Sequence, residues 1–168
     1  MDALYFSFWI VWGTAIVVIL AYGFVLLFGA PYFPSLRPHV KAALKLLDLK
    51  KGQVVYDLGC GDGRFLRSAA KHGLVAVGYE LNPFMFAWSW LTTRRYGRRV
   101  KVRFGNFWHA DLSEADAIFV FLLDKYMPKL DERIRATAKK HVKLASHTFK
   151  IPGKKPSDEE YGVFLYKY

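Results

Sequence analysis

Val54-Val55-Tyr56-Asp57-Leu58-Gly59-Cys60-Gly61-Asp62-Gly63-Arg64-Phe65 is the stretch that most narrows what this chain can fold into. It starts as an apolar run, breaks into alternating glycines and then reads as a helix. The apolar part fits a buried parallel strand. The glycines let the backbone turn sharply and approach a ligand closely. The helix that follows aims its unpaired amides at whatever occupies the turn. Asp57 adds a carboxylate beside it. The spacing is Asp-x-Gly-x-Gly-x-Gly, which differs from the G-x-G-x-x-G of a dinucleotide fold. A second acid, Glu80, ends the next apolar run in Ala76-Val77-Gly78-Tyr79-Glu80-Leu81-Asn82-Pro83. That is roughly the ~20-residue separation expected in such units. An ordinary strand-to-helix turn is the plain alternative, and the joint occurrence of both features weighs against it.

The rest of the chain alternates in the same way. Val40, Ala43, Leu44 and Leu47 recur at helical spacing and predict an amphipathic helix over 38–49. The glycine-turn strand covers 53–58 and its helix 64–72. A second strand covers 75–79. Asn82-Pro83 starts a helix, with Asn as cap and Pro in the first turn, running to about Tyr96. Residues 100–104 alternate apolar with Lys101 and Arg103, as an edge strand does. Residues 117–123 are continuously apolar, as in a central strand. A helix over 127–139, a strand over 142–149, a polar loop over 154–160 and a last strand over 163–166 follow. Strand–helix alternation argues for a mostly parallel sheet with helices on both faces. Six strands are legible. The loop before the last is too short for a helical crossover of about a dozen residues, so that strand is expected to run antiparallel.

At the glycine turn and Glu80 the chain resembles the class I S-adenosylmethionine-dependent methyltransferases. The resemblance implies a Rossmann-like α/β fold, a sheet that in the family has seven strands with the last antiparallel, and S-adenosylmethionine as cofactor. It implies that Asp57, Gly59, Gly61, Asp62 and Gly63 lie against the amino-acid half of the cofactor. Glu80, with Asn82 after it, falls at the ribose. Asn106 and Phe107, in Gly105-Asn106-Phe107-Trp108, fall at the adenine ring. An amide pairs with adenine through a donor and an acceptor, although Asn also favours turns. Ser35 closes Pro31-Tyr32-Phe33-Pro34-Ser35. In some methyltransferases a similar segment crosses the pocket with its hydroxyl near the cofactor carboxylate. A stiff proline linker is the other reading.

The amino-terminal segment has a different character. No charged residue lies between Asp2 and Arg37, and all 25 Lys and Arg come from Arg37 onward, in a chain of net charge +11. Residues 4–28 are apolar and aromatic, longer than the ~20 residues that span a bilayer. The segment lacks the positive start of a cleaved signal peptide and the polar face of a core helix. A transmembrane anchor over 1–30 is therefore expected, in contact with the lipid bilayer, with a methyltransferase domain over 31–168. Arg37, Lys41, Lys45, Lys50 and Lys51 follow the span, which places the amino terminus outside and the domain in the cytoplasm or an equivalent compartment. The single Cys60 cannot form an internal disulfide, which fits a reducing compartment.

No catalyst is legible at motif grade. Asp124, past the fourth strand, and His147, in Ser146-His147-Thr148-Phe149, are the candidates, each with a plain structural alternative as a helix cap or a strand residue. The chain has no Cys/His cluster of metal-ligand spacing. The set Pro-Tyr-Phe-Pro-Ser, Tyr-Asp-Leu-Gly-Cys-Gly-Asp-Gly-Arg, Val-Gly-Tyr-Glu-Leu-Asn-Pro and Ser-His-Thr-Phe is similar to the membrane-anchored protein-lysine methyltransferases. That likeness implies a lysine amine on a protein substrate, with departures at Cys60 and Asn106. An RNA or small-molecule methyltransferase and a non-catalytic cofactor-binding adaptor are the alternatives. The dense cluster Arg94, Arg95, Arg98, Arg99, Lys101 and Arg103 suits an anionic lipid surface, a nucleic acid or solvent.

Overall fold

The computed structural model describes residues 2–28, 35–138 and 141–168. The chain divides into two compact units, residues 1–31 and 32–168.

The first unit is a single helix, α1 (Asp2–Phe28). Apart from Ser7 and Thr14, its described side chains are apolar, and they face outward on every side, with Leu4, Trp9 and Ile19 each at least two-thirds exposed. Among the described residues no helix is long and apolar enough to cross a membrane. The segment expected as a transmembrane anchor, 4–28, is helical throughout.

The second unit is a twisted sheet between two helical layers. Its strands are β1 (Val54–Leu58), β2 (Val75–Glu80), β3 (Val100–Phe104), β4 (Ala117–Val120), β5 (Lys143–His147), β6 (Asp158–Glu160) and β7 (Val163–Lys167). Their order is β3-β2-β1-β4-β5-β7-β6. β1 pairs in parallel with β2 and β4, β2 with β3, and β4 with β5. β7 runs antiparallel to both neighbours. The expected antiparallel last strand is therefore present, but the sheet has seven strands, not six. The seventh is β6, inside the segment expected to be a polar loop. It is three acidic residues joined to β7 by Tyr161 and Gly162, both at positive φ. A hairpin turn of that kind pairs even a short charged edge, and so short a strand has no apolar period to reveal it.

Residues of β1 alternate between the two layers, as the pleat requires. Val55 joins the side formed by α2 (Arg37–Leu47) and α3 (Arg64–Lys71), where Leu44, Leu47, Phe65 and Leu66 are buried. Phe65 stacks on Phe119 of β4 with centroids 4.2 Å apart. Tyr56 and Leu58 join the other side, where Leu112, Tyr166 and the Met127, Leu130 and Ile134 face of α5 (Met127–Thr137) pack. The remaining helix, α4 (Pro83–Thr93), is capped as its sequence predicts: Asn82 Oδ1 accepts from the Phe84 and Met85 amides. It passes into a 3₁₀ turn at Arg94, short of the expected end near Tyr96. The parallel order places the carboxyl ends of β1, β2, β4 and β5 along one edge, with the order reversing between β1 and β4. Open α/β sheets bind ligands at such an edge.

Candidate functional site

The glycine turn is built as a backbone cradle. Gly59, Gly61 and Gly63 all have positive φ, at 98°, 52° and 74°. The Gly59 and Cys60 amides both donate to the Tyr79 carbonyl, at 3.0 and 2.9 Å, which stitches the turn to the end of β2. A Cβ on Gly59 would meet nothing within 4 Å, so open space faces that residue. Gly63, the N-cap of α3, is crowded instead: a Cβ there would collide with Ser89 Oγ of α4. Gly78 has a supporting part that the sequence did not signal. A Cβ on it would come within 3 Å of Cys60, so its bareness lets the turn lie down on β2.

Three acids converge here with unequal duties. Asp57 is buried, and its carboxyl accepts no hydrogen bond from the described residues. Burial first, then the charges of Glu80 and Asp62, push its pKa well above the usual carboxylate range. Glu80 is held by two backbone amides. One oxygen accepts the Gly61 amide and the other the Asn82 amide, each at 2.8 Å. Asp62 is clamped by Arg64, whose Nε and Nη2 reach it at 3.0–3.2 Å, and by Arg67 at 3.6 Å. Burial works to raise its pKa, but those bonds and charges outweigh it and hold the carboxyl below its ordinary value.

On the β5 side, Ser35 Oγ lies 3.2 Å from His147 Nδ1, and both residues are buried. Arg64 Nη1 also donates to the Ser35 carbonyl at 2.9 Å, so the guanidinium ties the glycine turn to this segment. Residues 31–34 of the proline motif lie outside the described residues. His147 is enclosed by rings, with His39 at 4.1 Å and Phe121 at 4.3 Å between centroids. Burial, and then the charge of His39, lower its pKa to about 4. The imidazole is therefore neutral at pH 7. His39 was not singled out from sequence, since a histidine on an amphipathic helix carries no signal of a partner more than a hundred residues away.

The remaining candidates sit further out. Asn106 is exposed, and its Oδ1 caps the short turn Phe107–His109 by accepting the Trp108 amide at 3.0 Å. Its NH2 has no hydrogen-bond partner among the described residues. Phe107 is half-buried against Trp108, centroids 4.8 Å apart. Asp124 is exposed in a 3₁₀ turn before α5, and its side chain caps no helix. The structure thus brings Asp57, the three glycines, Asp62, Glu80, Asn82 and Arg64 into one cluster. Ser35 and His147 join it through Arg64; Asn106 and Phe107 follow β3, next to β2.

The family model described as the ANTKMT methyltransferase domain matches residues 57–158, from Asp57 to the first residue of β6. The chain belongs to this family. Among relatives of the ANTKMT methyltransferase domain, a protein-lysine N-methyltransferase of Saccharolobus islandicus is 33% identical over 132 residues, covering 76% of this chain and 82% of that protein. The adenine nucleotide translocase lysine N-methyltransferase of Mus musculus is 31% identical over 129 residues, covering 75% of this chain. The chain spans only 56% of the length of that relative. A crystal structure of an RNA methyltransferase from Salinibacter ruber, in complex with S-adenosyl-L-homocysteine, superposes with a TM-score of 0.73 at 30% identity, covering 81% of this chain and 92% of that one. Family and fold therefore agree on a class I methyltransferase.

The residues present fit S-adenosylmethionine, the cofactor of that class. It is a cation at both its amino and sulfonium groups, and Asp57 is a buried carboxyl that accepts no hydrogen bond from the described residues, in a cluster of three acids. Gly59 leaves space for close approach. Glu80 ends β2 and Asn106 follows the end of β3, on the same edge of the sheet.

Proposed function

We propose that this chain is a protein-lysine N-methyltransferase that uses S-adenosylmethionine and works at a membrane surface. The observation that carries the enzymatic part is the cluster of Asp57, Glu80 and the glycine cradle, in a family whose relatives are named for lysine methylation. Asp57, Asp62 and Glu80 gather three carboxyl groups in a chain that is otherwise strongly basic. Glu80 and the turn amides fix the cofactor's orientation.

When bound, the cofactor supplies a methyl group already activated by its sulfonium. What remains for the chain is alignment, which is where most of the rate gain in such a reaction lies. An acceptor lysine must also lose its proton. From a reference pKa of about 10.4, that costs roughly 4–5 kcal/mol at neutral pH. His147 is neutral and fixed by Ser35, which suits it to hold the rim of the pocket. Asp124, exposed on the same edge, is the candidate to receive the amine or its proton.

The membrane part is supported by the charge-free run between Asp2 and Arg37 and by the outward apolar side chains of α1. In this reading α1 anchors the chain with its amino terminus outside, and the catalytic unit lies inside among membrane proteins. A second reading, RNA methylation, is favoured by the name of the Salinibacter structure and by the arginine cluster after α4.

Transfer of labelled methyl groups from S-adenosylmethionine to membranes and to RNA, followed by mass spectrometry, tests both readings. Label on protein lysine is expected. Label confined to RNA overturns the lysine assignment, and no transfer at all leaves only a cofactor-binding adaptor.

A further inference from the structure

Helix α4 is built inside out. Its buried residues are Ser89 and Thr93, small and polar. They press on Gly63, with Thr93 Oγ1 bonded to the Ser89 carbonyl at 2.7 Å. The apolar residues point the other way: Phe84, Trp88, Trp90 and Leu91 are 48–54% exposed. Phe84, Trp88 and Leu91 follow one another at the i, i+4, i+7 spacing that makes a single helical stripe. Phe104 of β3, whose ring lies 5.4 Å from Phe86, is a further outward ring, 56% exposed. A helix of a water-soluble face would show the reverse pattern, and a contiguous exposed apolar patch marks an interaction surface.

The residues that follow identify the partner's chemistry. Arg94, Arg95, Arg98 and Arg99 are all exposed, directly after the stripe. We propose that the outer face of α4 docks on an anionic lipid surface, with Phe84, Trp88, Trp90 and Leu91 in the interfacial layer and the four arginines among the headgroups. Tryptophan prefers that layer, and juxtaposed basic residues are drawn to the negative leaflet. A second copy of the chain is disfavoured as occupant, since two such faces would bring their arginines together. RNA is disfavoured because the outward positions from Phe84 to Leu91 offer hydrocarbon and rings, with the indole N–H groups as their hydrogen-bonding side-chain atoms. Since α4 starts immediately after Glu80 and Asn82, this docking would hold the cofactor edge close to the bilayer. The substrate class then narrows to lysines that lie at the membrane surface.

This inference rests on the membrane part of the proposed function, and its test keeps the two apart. The full chain, with Trp9, Trp12 and Trp108 changed to Phe, is placed in phosphatidylcholine vesicles with or without phosphatidylglycerol. Emission then comes from Trp88 and Trp90. Expected is a blue shift, with quenching by lipids brominated near the headgroup, in the anionic vesicles. Changing all four arginines to Gln is expected to weaken this docking roughly 100-fold or more. Salt near 1 M, where the Debye length falls to about 3 Å, is expected to do the same. Protection of residues 83–93 from hydrogen exchange in the unmodified chain, seen in anionic but not neutral vesicles, provides a readout free of substitutions. Water-like emission without quenching overturns the proposal, as does equal quenching in both lipids, self-association that shields the tryptophans, or displacement by RNA. Carbonate extraction reports separately on α1, so loss of the anchor and loss of the α4 contact are distinguishable.

Discussion

Glu80 accepts the Gly61 amide at 2.8 Å while its other oxygen accepts the Asn82 amide at the same distance. One carboxylate therefore fixes the glycine turn to the start of α4 before any ligand arrives. Hydrogen bonds to charged groups contribute about 1.5–3 kcal/mol each. Glu80→Ala is expected to weaken S-adenosylmethionine binding by about 10- to 100-fold or more and to lower the melting temperature as well. Glu80→Gln keeps one acceptor oxygen and is expected to fall between. Calorimetric titration of the three proteins, with thermal melts beside it, checks this. An unchanged affinity in Glu80→Ala would remove the residue from the site.

Asp57 is a case where stability and binding oppose each other. Its pKa is raised by burial and by Glu80 and Asp62, so the folded state holds its proton more tightly than the unfolded state. Between the two pKa values the folded state binds more protons, and stability falls as pH rises through that window. Asp57→Asn replaces the buried carboxyl with an amide that does not ionise. It is expected to raise the melting temperature of the free protein at neutral pH and to weaken binding of the cationic cofactor. Melts with and without S-adenosylmethionine show whether the two effects have opposite signs.

Gly63 is constrained twice. Its φ of 74° costs a side-chain-bearing residue roughly 1–2 kcal/mol, and a Cβ would strike Ser89 Oγ. Gly63→Ala is expected to destabilise the fold by more than the backbone cost alone. Adding Ser89→Gly should recover the steric part and leave the conformational part. A double-mutant cycle on denaturant unfolding measures the split.

His147 sets the acid limit. Its folded pKa, about 4 against 6.5 for the free side chain, means that the unfolded state binds more protons between those values. Stability from this residue is present above about pH 6.5 and is lost as pH falls towards 4. His147→Gln is expected to flatten that part of the stability profile. Urea midpoints from pH 7 to pH 4 provide the measurement.

Much of this architecture was legible because it is written in local pattern. The apolar-to-glycine switch at Leu58, the acid at Glu80 and the Asn82-Pro83 cap each depend on neighbours in sequence. The seventh strand was not, because Asp158, Glu159 and Glu160 form an edge held by backbone pairing, with no apolar face to display. Nor was the Ser35–His147–His39 cluster, whose members meet only when β5 is threaded beside β4. Glu80 and Asn106 stood out in the sequence as candidate ligand residues, while their hydrogen bonds to Gly61, Asn82 and Trp108 did not, since nothing in a sequence reports which amides a carboxylate or a cap will find. The outward face of α4 was visible as an apolar helix; its inversion needed Gly63 to show which side is packed.

The most direct measurement is a structure of the full chain with S-adenosylhomocysteine bound. The account predicts ribose hydroxyls on Glu80, the amino-acid half against Gly59 and Gly61 within reach of Asp57, and the adenine beside Asn106 and Phe107. A saturated protein with this crevice empty, or with the ligand held elsewhere, would contradict it.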